Sequence, residues 1–148
     1  MPQTVFSSLV NASLETVWDL LLDKVESPGI YISAVEESKI LEIYNDGVLR
    51  EMRTPKMTVK ERITLDEQAR EIRFTLVDHP FFTGDIINRV IPVSNNHPDD
   101  PLILTFTLDW KPFNEEAQKI SPEEVTQTIQ QAVLETKNLA EQQDVQKK

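Results

Sequence analysis

The sequence predicts an α+β fold in which a curved antiparallel sheet of about seven strands wraps a long C-terminal helix, with one or two short helices after the first strand. Three observations carry this. From Ser121 to about Gln142, Val125, Ile129, Ala132, Val133, Thr136, Leu139 and Ala140 recur at helical spacing, while Gln127, Gln130, Gln131, Glu135, Lys137 and Asn138 fill the opposite face. Between residues 39 and 110 the chain instead reads as successive period-two segments. The last of these puts Leu102, Leu104, Phe106, Leu108 and Trp110 in one phase, the most apolar strand face in the chain. A helix with one apolar face needs a partner, and the sheet is the simplest one; that geometry encloses a pocket.

The first strand is Thr4 to Val10. Asn11 or Ser13 can cap a helix with Val17, Trp18, Leu21, Leu22 and Val25 three and four apart, which stops near Ser27 because Pro28 and Gly29 follow. Gly29 to Ala34, carrying Tyr31, reads as a short helix or a loop. Lys39 to Tyr44 and Val48 to Thr54 flank Asn45, Asp46 and Gly47, a hairpin signal, and Pro55 ends the second strand or places it at an edge. An edge strand at Val48 to Thr54 would be open to pairing with a second copy. Met57 to Leu65, Ile72 to Leu76 and Asp85 to Val93 continue the strands, and Ser94 to Pro101 reads as an exposed loop. Ser121, Pro122, Glu123 and Glu124 suit the N-cap and first turn of the long helix. A single domain over residues 1–148 is expected, with residues 141–148 a frayed polar tail.

Composition excludes several classes of function. The 25 acidic residues against 15 basic give a net charge of −10, which repels phosphate backbones, so no nucleic acid is expected as partner. With no cysteine there are no disulfides and no thiolate chemistry. Residues 1–6 lack the pattern of a signal segment, and no stretch approaches the roughly 20 apolar residues of a membrane span, so the expected location is cytoplasmic. The three glycines form neither a phosphate-cradling loop nor a dinucleotide fingerprint, and no Gly-x-Ser-x-Gly elbow is present; no cofactor is expected. His97, Asp99 and Asp100 read as a solvated turn rather than a metal site.

The informative residues are polar ones in apolar strand phases. Glu61 shares its phase with Met57, Val59, Ile63 and Leu65, Arg50 with Val48 and Met52, and Arg89 with Ile87 and Ile91. A buried charge is costly unless paired, so Glu61 with Arg50 or Arg89 is the expected ion pair. It reads either as a structural bridge or as a polar anchor for a ligand carboxylate, hydroxyl or enolate. Tyr31, Phe74, Phe106 and Trp110 read either as core or as an aromatic wall for a flat apolar ligand. His79, before a proline at a strand end, reaches a pocket mouth or caps a turn.

The element order, Trp18 in the first helix and the amphipathic last helix resemble the helix-grip fold of the START-related, Bet v 1-like (SRPBCC) superfamily. More narrowly, Leu49 to Met52 (Leu-Arg-Glu-Met), Val59 to Ile63 (Val-Lys-Glu-Arg-Ile) and Leu104 to Trp110 (Leu-Thr-Phe-Thr-Leu-Asp-Trp) are similar to the small family named after protein L of the acetylaranotin biosynthesis cluster. The resemblance implies a cavity between sheet and long helix that binds a small, mostly apolar molecule of unspecified identity. Alternatives are a polyketide cyclase or aromatase-like enzyme and a protein-interaction domain with a filled core. A monomer or a homodimer is expected.

Overall fold

The computed structural model describes residues 4–93, 101–120 and 122–147. Strand β1 (Thr4–Val10) leads into helix α1 (Leu14–Glu26). Ser13 caps that helix, its Oγ accepting the Thr16 N–H at 3.2 Å. Of Gly29 to Ala34, expected as a short helix or a loop, only Gly29 and Ile30 are helical, in a 3-10 turn that begins at Pro28 (Pro28–Ile30), where proline suits a first helical position, and residues 31–34 continue as turns and loop. Six strands follow: β2 (Glu37–Tyr44), β3 (Gly47–Arg53), β4 (Thr58–Asp66), β5 (Glu71–Val77), β6 (Phe82–Pro92) and β7 (Leu102–Pro112). A short helix α2 (Glu115–Gln118) then precedes α3 (Pro122–Lys147). The Ser121 cap and the His97 trio lie outside the described residues.

All seven strands form one antiparallel sheet in the order β1-β7-β6-β5-β4-β3-β2. From β2 to β7 each strand pairs with its successor, and β1 closes on β7 with Thr4 opposite Leu108 and Val10 opposite Leu102. The edges are therefore β1 and β2. This corrects the edge assignment of Val48 to Thr54: β3 has β2 on one side and β4 on the other, and Pro55 falls in the turn beyond it. Gly84 in β6 sits at φ +123°, where a Cβ would stand 2.1 Å from the carbonyl oxygen of Asp109, so the β6 and β7 backbones approach there only with glycine.

Helix α3 buries Ile129, Ala132, Val133, Thr136 and Ala140, and Thr136 satisfies its hydroxyl on the Ala132 carbonyl at 2.8 Å. Its partners are β1, β7 and α1. Val10, Leu104, Phe106 and Leu108 from the strands and Val17, Trp18 and Leu21 from α1 complete the core. Each such side chain contributes about 1.5–3 kcal/mol on burial. The helix runs through the stretch expected to fray, and the reason is specific. Glu141 accepts the Asn11 N–H at 2.8 Å, while Asp144 accepts the Ser13 N–H at 2.5 Å and the Thr16 hydroxyl at 2.6 Å, so the last turns are tied to the start of α1.

Candidate functional site

Because α3 crosses the β1–β7 side of the sheet, the inner faces of β3 to β5 are left facing a hollow. The cavity there has a volume of about 1260 Å³. Its walls come from the strands, from residues 32–35 after the 3-10 turn, from α2 and from the first half of α3, and include Met52, Val59, Phe74, Ile86, Phe106, Val125 and Ile129. Phe82 stacks on Trp110 with ring centroids 5.4 Å apart, and His79 lies 5.9 Å from Trp110.

The cavity floor is charged. Arg50 and Glu61 face each other in the β3–β4 register, 3% and 4% exposed, with Arg50 Nη2 donating to Glu61 Oε1 at 2.6 Å. Arg50 Nη1 donates to the carbonyls of Lys24 and Val25, both at 3.0 Å. Those carbonyls belong to the last turn of α1, the negative end of its dipole, so a single guanidinium clamps helix to sheet. Lys24 reaches in from α1, 5% exposed. Its Nζ donates to Asn88 Oδ1 at 2.5 Å and sits 4.5 Å from the ring centres of both Phe74 and Phe106. Burial and then Arg50 lower its pKa to about 7, with Glu61 opposing.

His79 borders the same space. Its Nδ1 accepts the N–H groups of Phe81 and Phe82, both at 3.1 Å, which places the proton of the neutral ring on Nε2. Burial holds its pKa below the usual histidine value, against the pull of Glu61.

Five of the side chains singled out from the sequence, Arg50, Glu61, Phe74, Phe106 and Trp110, line this one cavity. Two do not. Arg89 is exposed on the outer face, and the inward phase of β6 is Ile86, Asn88 and Val90; Glu61 therefore pairs with Arg50 alone of the two arginines considered. The two phases of β6 carry isoleucines alike, so alternation could not separate them. Tyr31 is 1% exposed but turns away from the cavity and donates to Asp23 Oδ2 at 2.9 Å; burial and that carboxylate raise its pKa. Lys24 and Asn88 were missed. Lys24 falls three residues after Leu21 and seven after Val17, on the apolar face of α1, and Asn88 stands between Ile86 and Val90; a polar residue in an apolar phase marks both. Among the described residues, no cluster of three or more His, Asp or Glu side chains could hold a metal ion, and no helix is long and apolar enough to cross a membrane.

A seven-stranded antiparallel sheet curved around a long C-terminal helix, with a short helix after the first strand, defines the helix-grip fold of the START-related SRPBCC superfamily. Within it the chain belongs to the family described as acetylaranotin biosynthesis cluster protein L, whose model matches residues 8–142. Among solved structures, it is similar to the Zhui aromatase/cyclase from Streptomyces sp. R1128, at 17% identity and TM-score 0.69 over 99% of this chain and 94% of that one. A START superfamily protein from Mycobacterium smegmatis matches at 16% identity and TM-score 0.67, covering 99% of both chains. The di-domain ARO/CYC BexL from the BE-7585A biosynthetic pathway matches at 16% identity and TM-score 0.72 over 95% of this chain and 47% of that one. These likenesses establish the fold. No curated protein matches the chain significantly.

Proposed function

We propose that the protein binds a small, mostly apolar molecule in the cavity between sheet and C-terminal helix, in secondary or lipid-like metabolism. The observation that carries this reading is the hollow itself: about 1260 Å³ bounded by apolar strand faces and floored by a few buried polar groups, the form of a ligand site. The alternative of a protein-interaction domain expects a filled core in place of this space. In this reading the chain acts as a single cytoplasmic domain, monomeric or homodimeric, with Arg50, Glu61, Phe74, Phe106 and Trp110 touching the ligand. Native mass spectrometry on gently purified protein, followed by denaturing extraction, tests it. A retained small molecule is the expected result; a clean apo mass together with no thermal shift across apolar compounds overturns it.

A second reading, an enzyme of the cyclase kind, is favoured by the proximity of Glu61 and His79 to the same cavity. Glu61 would be the base, since its carboxylate borders the ligand space, with Arg50 fixing its orientation. Turnover of the extracted molecule should be lost in Glu61→Gln while the fold persists; unchanged turnover removes Glu61 from the chemistry.

A further inference from the structure

The floor of the cavity is polar in one sense only. Arg50 and Glu61 neutralise each other at 2.6 Å, whereas the close contacts of the Lys24 ammonium are with neutral groups, Asn88 Oδ1 and the faces of Phe74 and Phe106. Among the described residues no carboxylate lies within ion-pair distance of Lys24. Three buried side-chain atoms have no hydrogen-bond partner: Arg50 Nε and Asn88 Nδ2, on residues beside Lys24, and Trp110 Nε1, farther along the cavity wall. All three are N–H donors. A buried donor left unmade costs about 1–3 kcal/mol, and an uncompensated buried cation costs more. With the Glu61 carboxylate taken by Arg50, what the floor lacks is a second negative charge to meet Lys24.

Resting on the binding reading above, we infer that the cavity selects ligands carrying an anionic oxygen, a carboxylate or an acidic enol or phenol, and seats that oxygen against Lys24 at the end of α1. The protein as a whole opposes this, since its net charge of −10 repels anions. A preference for anions must therefore come from the floor. The charged groups facing Lys24 are Arg50 from β3 and Glu61 from β4, with His79 beyond Glu61; β5, β6 and β7 present the uncharged Phe74, Asn88 and Phe106. Because burial and Arg50 bring the empty-site pKa of Lys24 to about 7, an anion binds best below that pH and loses affinity above it, where a proton must be taken up with the ligand.

A matched pair of fluorescent probes, cis-parinaric acid and its methyl ester, tests the inference by titration of wild-type protein and Lys24→Met. The wild type should bind the acid about tenfold more tightly than the ester at about pH 6.5, and the preference should shrink several-fold by about pH 9, with the carboxyl ionised throughout. Lys24→Met should bind both probes with the affinity of the ester. Equal wild-type affinities, with the ester bound, overturn the inference and leave the binding reading standing; failure of both probes to bind overturns the two together. An acid preference that survives Lys24→Met also overturns it. Should Lys24→Met not fold, the wild-type titration decides, since an acid affinity that is the same at both pH values contradicts a seat on Lys24.

Discussion

Arg50 is the residue on which most of the site depends. It neutralises Glu61, caps two α1 carbonyls and stacks its guanidinium 5.4 Å from the Phe74 ring centre. Arg50→Met should lower stability by about 3–5 kcal/mol, because Glu61 would stay buried without a partner. Urea unfolding checks this, and the double variant Arg50→Met/Glu61→Leu should recover much of the loss. Lys24 predicts a pH dependence of opposite sign to that of a salt-bridged lysine. Its folded pKa, about 7, lies below the unfolded value of 10.5, so between them the unfolded chain binds more protons. Stability should therefore rise with pH across that window, with a slope of at most about 1.4 kcal/mol per pH unit from this residue. Comparing wild type with Lys24→Met by chemical denaturation isolates the effect, and parallel curves would refute it. Glu61 and Arg50 were legible in the sequence because each interrupts an apolar strand phase. Arg89 misled because β6 is apolar in both phases, and only the register with β5 and β7 shows which one faces inward.

At the scale of elements, periodicity located α1, α3 and the strands from β4 on because each keeps one face turned to the interior, while β2, exposed or half-buried throughout, was marked by the hairpin signal at Asp46 and Gly47 instead. It did not reveal α2, whose four residues bury only Ala117 and are held by a cap, Asn114 Oδ1 accepting the Ala117 N–H at 2.8 Å. Nor could it show that the polar end of α3 is anchored. That anchorage lies in hydrogen bonds to backbone some 130 residues away, from Glu141 to Asn11 and from Asp144 to Ser13, which leave no local pattern. Removing residues 141–148 should accordingly destabilise the protein by about 1–3 kcal/mol rather than leave it unchanged, through loss of charge-assisted bonds at the start of α1. A shift of several degrees in melting temperature would register it. Asp144→Asn should reproduce part of that shift.

For the whole molecule, the sheet, its order and the hollow beneath α3 follow from one arrangement: a helix long enough to cover only the β1–β7 side of a seven-stranded sheet. A ligand filling the uncovered half would add contacts between helix and sheet beside those that Arg50 and Lys24 make there. Saturation at about a hundred times Kd should then add about 2.7 kcal/mol to the unfolding free energy, seen as a rise in melting temperature that grows with ligand concentration. A concentration-independent melting temperature would argue against a bound state of the native fold. The pairing of β1 with β7 carries one last consequence, for time rather than energy. Residues 4–10 are made before the rest of the sheet, yet among the described residues their only strand partner is residues 102–112, so β1 must wait with its backbone unpaired until β7 has been made. The β2-to-β5 hairpins, being local, can form meanwhile. On the ribosome the floor of the cavity would thus be laid before its roof, and the nascent chain passes through an interval in which that floor, with Arg50 and Glu61 already opposed, stands open to solvent.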